Sequence, residues 1–521
     1  MRPAEGRSTP LVLAGCCLAL FISSLDISIV NVALPAIGAG LRAGVSGLQW
    51  IASAYTLVLA SGLLLAGSAG DRTGRRRMFL AGLAVFAAAS LACSLATSLG
   101  VLIAFRVVQA AGAAMMQPNA LSTITSIITD PVQRAHAIGV WAATFGVAVA
   151  CGPVVGGLLV AAAGWRSVFW ASLPAAAIAF VLIARYTPET RADRPRRTDP
   201  AGQVLLMVTL AAVTYATIEG PSRGWTSAPV AGCYTLAALG LAAFIAVERR
   251  RTEPLIELRF FRSPAFSGAA ASAVLTFAIL SGFLFLNTLY LQDVLGYSPL
   301  RTGVALLPAT AVIAVVSPLA ARLVTRWGSR LPMTAAGLLL TAGAVVLRDA
   351  GSYPPIAAGY LLLGTGLGLT GPPITSAAVS GMPRAQAGVA SAIATSSRQL
   401  GNVLGVAVIG SAVASATRQA LSASAGGHPS QAFRAAFTAA SHVGWDIAIG
   451  CALAITLLGY LTTSRSRVTS TPHGPPPAAG SRVPGHAPAR GASASSARQA
   501  PRRRPRPGGG RRGPGLRSPP A

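Results

Sequence analysis

The sequence predicts an all-helical protein that crosses a membrane many times, built as two six-helix bundles plus two inserted helices. Three observations carry that prediction. Only 11% of the 521 residues are charged and 53% are hydrophobic, with a mean hydropathy of +0.59. A soluble chain would be about 25% charged, so most of this surface must face lipid. Apolar runs of about 20 residues, the length a bilayer requires, recur about fourteen times. Arginine is crowded in every second loop and sparse in the others, as expected of spans threaded back and forth with their positive loops inside.

The runs fall near 11–33, 47–68, 78–98, 101–123, 137–160, 166–185 and 201–219, then 228–247, 267–290, 303–322, 331–348, 355–377, 390–412 and 443–462. The first lacks a small-residue cleavage site after a short apolar core, so it reads as a retained helix and not a signal peptide. Loops assigned to the inside carry Arg72, Arg75, Arg76 and Arg77, then Arg194, Arg196 and Arg197, and later Arg249, Arg250 and Arg384. The alternate loops mostly hold one Arg each, such as Arg42, Arg166 and Arg301. An even number of spans with both termini in the cytoplasm follows.

A weak internal repeat divides the chain. GDRTGRRRMFLAGL (70–83) is echoed by VTRWGSRLPMTAAGL (324–338), each after the second span of its half. The domains expected are an N-terminal bundle over 11–185, an inserted pair over 201–247 and a C-terminal bundle over 267–462. Duplicated halves with a substrate path between them are the plan of a transporter. The inserted pair reads as a spacer against lipid. The tail, 464–521, is Pro, Gly, Ser, Ala and Arg with few large apolar residues, so it is expected to be disordered. Its arginines either bind anionic headgroups or are an unselected consequence of base composition.

The formal charge of +28 does not indicate nucleic acid, because the arginines sit between apolar runs or in the tail. All basic residues are Arg, with no Lys, which fits a GC-rich bacterial genome of the actinomycete kind and a plasma-membrane location. The six cysteines lie in apolar runs without metal-ligand spacing and read as small hydrophobes. There is no phosphate-binding loop and no paired His spacing, so ATP-driven pumping and membrane enzymology have no support in the sequence.

Four stretches carry the chemistry. GSAGDRTGRRR (67–77) sets one carboxylate and four arginines between two apolar spans. Asp26 lies about fifteen residues into the first span, where an ionisable group is expensive and marks function. Counting 1.5 Å per residue, Asp26 stands about 22 Å above the inner face. Arg106, entering from outside, stands about 8 Å below the outer one. In a core about 30 Å thick these are the same level, so the two can pair. A buried carboxylate in such a pair can exchange its proton for the pairing or for substrate; alternatively the pair only ties two helices together. The fourth stretch, GVWAATFGVAVACGPVVGG (139–157), has small residues at helical spacing and a proline that permits a bend. It is expected to form a tight seam that closes the cytoplasmic side.

These stretches together resemble the major facilitator superfamily, and within it the 14-helix drug:proton antiporters, over about residues 11–463. GSAGDRTGRRR resembles the superfamily's loop 2–3 signature through Gly67, Asp71, Arg72, Gly74, Arg75 and Arg76, with Ala69 where Leu is usual. The resemblance implies a conformational gate, in which Asp71 caps a helix or pairs with an Arg of the other bundle. LDISIVNVALP (25–35) and RVVQAAGAAMMQP (106–118) resemble the first- and fourth-helix signatures, which implies proton coupling by Asp26 and Arg106. The fifth-helix stretch resembles the antiporter signature through Gly139, Gly152, Pro153, Gly156 and Gly157, with Ala148 where Gly is usual, which implies export. YLQDVLGYSPLRTGVALLP (290–308) and AGVASAIATSSRQLGNVLG (387–405) also resemble this family. They place Asp293, Arg398, Gln399 and Asn402 near helix ends or in the second bundle.

The resemblance implies a proton-coupled exporter of small hydrophobic drugs or antibiotics, with an uptake carrier for metabolites or nutrients on the same fold as the alternative. It implies no enzymatic activity, no metal and no cofactor beyond the proton-motive force. The partners expected are a drug-like small molecule, protons and the bilayer, with no nucleic acid and no obligate protein partner. Asn31, Gln109, Gln117 and Asn119 are the candidates for lining the cavity. With Asp26 the one deeply placed acid, neutral, monocationic or zwitterionic compounds are expected.

Overall fold

The computed structural model describes residues 9–191, 199–251, 256–380, 387–423 and 429–463. The tail 464–521, and Arg194, Arg196, Arg197 and Arg384 of the inward loops, lie outside the described residues.

The first half is built from α1 (Thr9–Leu41), α2 (Val45–Thr73), α3 (Arg75–Ser94), α4 (Leu99–Ile127), α5 (Pro131–Ala163) and the broken span α6 (Ser167–Trp170) plus α7 (Ser172–Tyr186). A helical pair follows, α8 (Pro200–Arg223) and α9 (Ala228–Arg250). The second half comprises α10 (Pro264–Leu289), extended by a π-helical turn over Tyr290–Val294, then α11 (Pro299–Ala305) with α12 (Leu307–Trp327), α13 (Arg330–Arg348), α14 (Tyr353–Val379), α15 (Ala387–Ala423) and α16 (Pro429–Thr462). Thirteen of these segments are long and apolar enough to cross a membrane. The Gly- and Pro-rich α14, 27 residues long, makes up the fourteenth by length.

Local sequence sets the boundaries. Asp130 and Asp199 each precede a proline at the first helical position and accept a hydrogen bond from a backbone N–H in the first turn, of Gln133 and Gly202 respectively. Ser298 does the same ahead of Pro299, accepting from Arg301 N. Proline gives up an N–H that has no helical partner there, and the side-chain oxygen satisfies another. Between α2 and α3 the chain turns on Gly74 alone, at φ +119°, a conformation that a side chain would strain.

The same helix pairs pack in both halves. In the first, α1 lies on α5 and α7, and α4 on α2 and α3; in the second, α10 lies on α15 and α16, and α14 on α12 and α13. The two halves meet through α2 with α15, α5 with α11 and α12, and α1 with α10. The repeat that is faint in the sequence is therefore plain in the packing. Outward faces present Leu95, Leu239, Val315 and Leu461 exposed, as lipid contact requires.

The inserted pair is more than a spacer. α8 lies against both α2 and α15, and α9 against α8. Gln203 donates to the Ser61 carbonyl of α2, Trp50 donates to Glu219 at 3.1 Å, and Arg418 of α15 donates to the Pro221 carbonyl at 2.7 Å. Each half is thus tied to α8 along one side of the molecule. Among the described residues, none of α8 or α9 lines the central cavity.

Candidate functional site: a buried ion pair beside a central cavity

A cavity of about 470 Å³ lies between the halves. Its walls are mainly apolar, with Trp141, Phe145 and Phe277 among them, and Asn31, Gln117, Arg106 and Arg398 as polar members. Leu64, Leu121 and Ile138 extend it toward the face that carries the 67–77 turn.

From Arg106 of α4 on the wall, an ion pair runs inward to Asp26 of α1, with both side chains buried. Gln109, one turn along α4, closes the network. Its carbonyl oxygen accepts from Arg106 Nη1 at 2.7 Å, while its amide donates to Asp26 Oδ1 at 3.0 Å and to Ser90 Oγ at 2.7 Å. One acceptor and two donors use the amide's full polarity. The guanidinium also donates to the Ile51 carbonyl at 3.4 Å and lies 4.3 Å from the Tyr55 ring centroid. A buried pair of this kind contributes little net stability, yet removing one partner strands the other at a cost of about 3–5 kcal/mol.

Two cavity candidates lie elsewhere. Gln109 is not on the wall but fully buried in the ion-pair network. Asn119 is buried between α4 and α2, donating to the Met115 and Ala66 carbonyls at 2.8 and 3.3 Å. Their helical spacing marked an inward face without saying whether a helix or a cavity stood opposite. Asn31 and Gln117 are on the wall; Asn31 donates to the Ile27 carbonyl at 2.8 Å and Gln117 to Ser23 Oγ at 3.3 Å.

The 67–77 turn is held within its own half. Asp71 pairs with Arg75 one helical turn on, at 2.8 Å, and, among the described residues, with no Arg of the other bundle. It lies inside α2, so it caps no helix; the residue at the start of α3 is Gly74. Arg75 reaches the Ser122 carbonyl at 3.5 Å, which puts the end of α4 beside the turn. Gly67 faces Pro118, and Arg72 stands exposed on the last turn of α2, where a cation complements the helix dipole. Arg76 donates a side-chain hydrogen bond to the Ala184 carbonyl.

Glu189, which sequence reasoning missed, organises this turn. It accepts from the Arg76 backbone N–H at 3.1 Å, approaches Arg77 at 3.6 Å and fills the space that a Cβ on Gly74 would need. Its only sequence signal was its place in another basic loop. The Arg77 arm is 72% exposed and adds little. Replacing Glu189 with Ala should therefore cost about 1 kcal/mol through the lost backbone contact, visible as a lower thermal midpoint that Glu189→Gln largely restores. Equal destabilisation by both would place the effect elsewhere.

The fifth-helix glycines do not close the face that carries the 67–77 turn. α5 starts beside the turn, so Gly152–Gly157 lies about 30 Å along it at 1.5 Å per residue, at the opposite face. Gly152 and Gly156 abut Ser28 and Ile29 of α1. Pro153 cannot donate to the Val149 carbonyl, and Ser28 Oγ takes that acceptor at 3.2 Å. Gly157 and Pro153 instead abut Pro299, Leu300 and Gly303 of the second half. Gly139 faces open space. Nearby, Gln49 donates to the Val406 carbonyl at 3.0 Å and Gln292 to the Val32 carbonyl at 2.9 Å. The halves are sealed on the face opposite the turn, and the cavity between them extends toward the turn face.

Of the other acidic side chains, Glu219 pairs with Arg223 at 3.3 Å and Asp446 with Arg348 at 2.7 Å. Asp293 sits exposed in the π-helical turn, and Gln399 accepts from Asn402 at 2.9 Å.

The sequence model of the Major Facilitator Superfamily matches residues 16–406. "Multidrug resistance protein Stp" of Mycobacterium tuberculosis is 39% identical over 410 residues, covering 78% of this chain and 76% of that one. "Tetracenomycin C resistance and export protein" of Streptomyces glaucescens is 37% identical over 417 residues, covering 79% and 77%. Among solved structures, a bacterial homologue of the human lysosomal transporter Spinster, crystallised inward-facing and unoccupied, superposes with a TM-score of 0.66. It is 16% identical, and the match covers 88% of this chain and 97% of that one.

Proposed function

Because the chain belongs to the major facilitator superfamily, as a multi-pass membrane transporter of small molecules and not an enzyme, we propose that it exports amphipathic, drug-like compounds in exchange for protons. The observation that carries this reading is the buried Asp26–Arg106–Gln109 network that runs inward from the wall of the cavity. The resistance and export roles in the names of its relatives favour outward transport over uptake.

The turn face is cytoplasmic in this reading, with both termini inside, since it carries the denser arginine loops. Substrate enters the parted halves while Asp26 is ionised and held by Arg106. The α5–α11 seam then opens and the cytoplasmic side closes. A proton reaching Asp26 from outside neutralises the carboxylate and loosens the α1–α4 tie, and the protonated form returns inward. Asp71, Arg72, Arg75 and Arg76 act at the cytoplasmic closure, where the two turns of the repeat approach.

Everted, acid-loaded vesicles test the exchange. Adding tetracenomycin C to vesicles containing the protein should release protons from the lumen, and control vesicles should not respond. Substrate accumulation by intact cells, without proton release from vesicles, would favour the uptake carrier.

A further inference from the structure

The cavity carries one cation that the proton-coupling network does not use. Among the described residues, two charged ones line it, Arg106 and Arg398. Arg106 is committed to Asp26, Gln109 and the Ile51 carbonyl. Arg398, on α15, donates from Nη2 to Thr375 Oγ1 at 2.6 Å and stands 5.8 Å from the Phe277 ring centroid. Its Nε is buried without a hydrogen-bond partner, and it takes part in no ion pair among the described residues.

Four more buried polar atoms on the same walls lack partners: Ser24 Oγ, Asn31 Oδ1, Trp141 Nε1 and Ser396 Oγ. An unpaired guanidinium against apolar walls is costly to keep. It has five N–H donors in a planar fork suited to acidic oxygens. The remaining wall is apolar and aromatic, and the volume is that of a site for a drug-sized molecule.

Building on the export reading of this cavity, we propose that Arg398 binds an acidic group of the transported compound. The substrate class is an amphiphile that sets a carboxylate, sulfonate or phenolate oxygen beside an apolar, aromatic body. The acid accepts from Arg398, the body lies against Phe277, Trp141 and Phe145, and Asn31 and Ser24 on the α1 wall meet its neutral polar groups. Zwitterions fit as well as anions. A compound whose only charge is positive is repelled. The sequence-level expectation counted acidic residues in the spans; the cavity adds a cation to that census.

Two fluorescent probes differing by one sulfonate test this on the full chain in nanodiscs of zwitterionic lipid, with empty discs subtracted. They are 1-anilinonaphthalene-8-sulfonate and the uncharged N-phenyl-1-naphthylamine. Arg398→Gln should weaken the sulfonate about tenfold or more, the scale of one lost charge-assisted contact, and leave the uncharged probe within about twofold. Arg398→Lys, which keeps the charge, should retain much of the sulfonate affinity and serves as the check on folding. The proposal is overturned if Arg398→Gln binds the sulfonate like the wild type, if both variants lose both probes alike, or if the wild type does not bind the sulfonate. Binding is read without transport. Failure here with proton-coupled efflux of other compounds intact therefore removes only the Arg398 assignment, and failure of efflux with this binding pattern intact removes only the export reading.

Discussion

Asp26→Asn should abolish proton release from everted vesicles while leaving substrate binding in place. The substitution keeps the side chain's shape and removes the one acid that the ion-pair network holds. Arg106 stays buried, still accepted by the Gln109 and Ile51 carbonyls, but without a counter-charge. A stranded buried charge costs about 3–5 kcal/mol, so the protein should melt earlier, and pH-driven transport should be lost because Asn carries no proton to exchange. Gln109→Leu separates coupling from packing, because it removes a neutral bridge and leaves the charges paired; it should slow transport and leave it pH-dependent. Two measurements decide: luminal pH against added compound, and equilibrium binding to purified protein. An Asp26→Asn protein that still releases protons at the wild-type rate would move the proton elsewhere and leave the Asp26–Arg106 pair as a tie between α1 and α4.

Some of this site is legible in the sequence because membrane thickness is a ruler. Asp26 and Arg106 are 80 residues apart, yet counting rise per residue from opposite faces puts them at one level, and the structure has them in contact. Helix number and alternation follow from hydropathy and arginine in the same way. Helix ends do not. α16 starts at Pro429, well before the apolar run at 443, because QAFRAAFTAASH is amphipathic and hydropathy alone passes over it. What stands opposite a residue is hidden too. Gln109 and Asn31 are both amides on inward faces of their helices, but one completes an ion pair and the other faces a cavity. The partner of Asp71 is Arg75, four residues on, a local contact that reading the turn as a gate between the bundles passes over. Arg398 was readable only as a polar residue of the second bundle; its lack of a counter-ion is a property of the assembled cavity.

The glycine seam offers a measurement of which face of the transporter is open. A Cβ at Gly157 would sit 2.8 Å from Leu300 Cα and 2.9 Å from the Pro299 carbonyl carbon, both backbone atoms of the second half. Backbone cannot swing aside as a long side chain can, so Gly157→Ala must push α11 away from α5. Overpacking of this kind costs about 1–3 kcal/mol, and the cost falls only on the state in which the seam is closed. The equilibrium should therefore move toward the state open on the far face by about fivefold to a hundredfold. Gly139→Ala is the internal control, since nothing lies within 4 Å of its Cβ although it belongs to the same motif. Thr310 reports the opening: it is buried, and its hydroxyl donates across the seam to the Ala150 carbonyl at 3.4 Å. In a background without the native cysteines, Thr310→Cys should react slowly with an impermeant maleimide added outside. Adding Gly157→Ala should speed that reaction about tenfold, while Gly139→Ala leaves it unchanged. Equal rates in all three proteins would mean that the α5–α11 contact does not decide which face is open. The fifth-helix glycines would then serve helix packing within the first half, through Gly152 and Gly156 against α1.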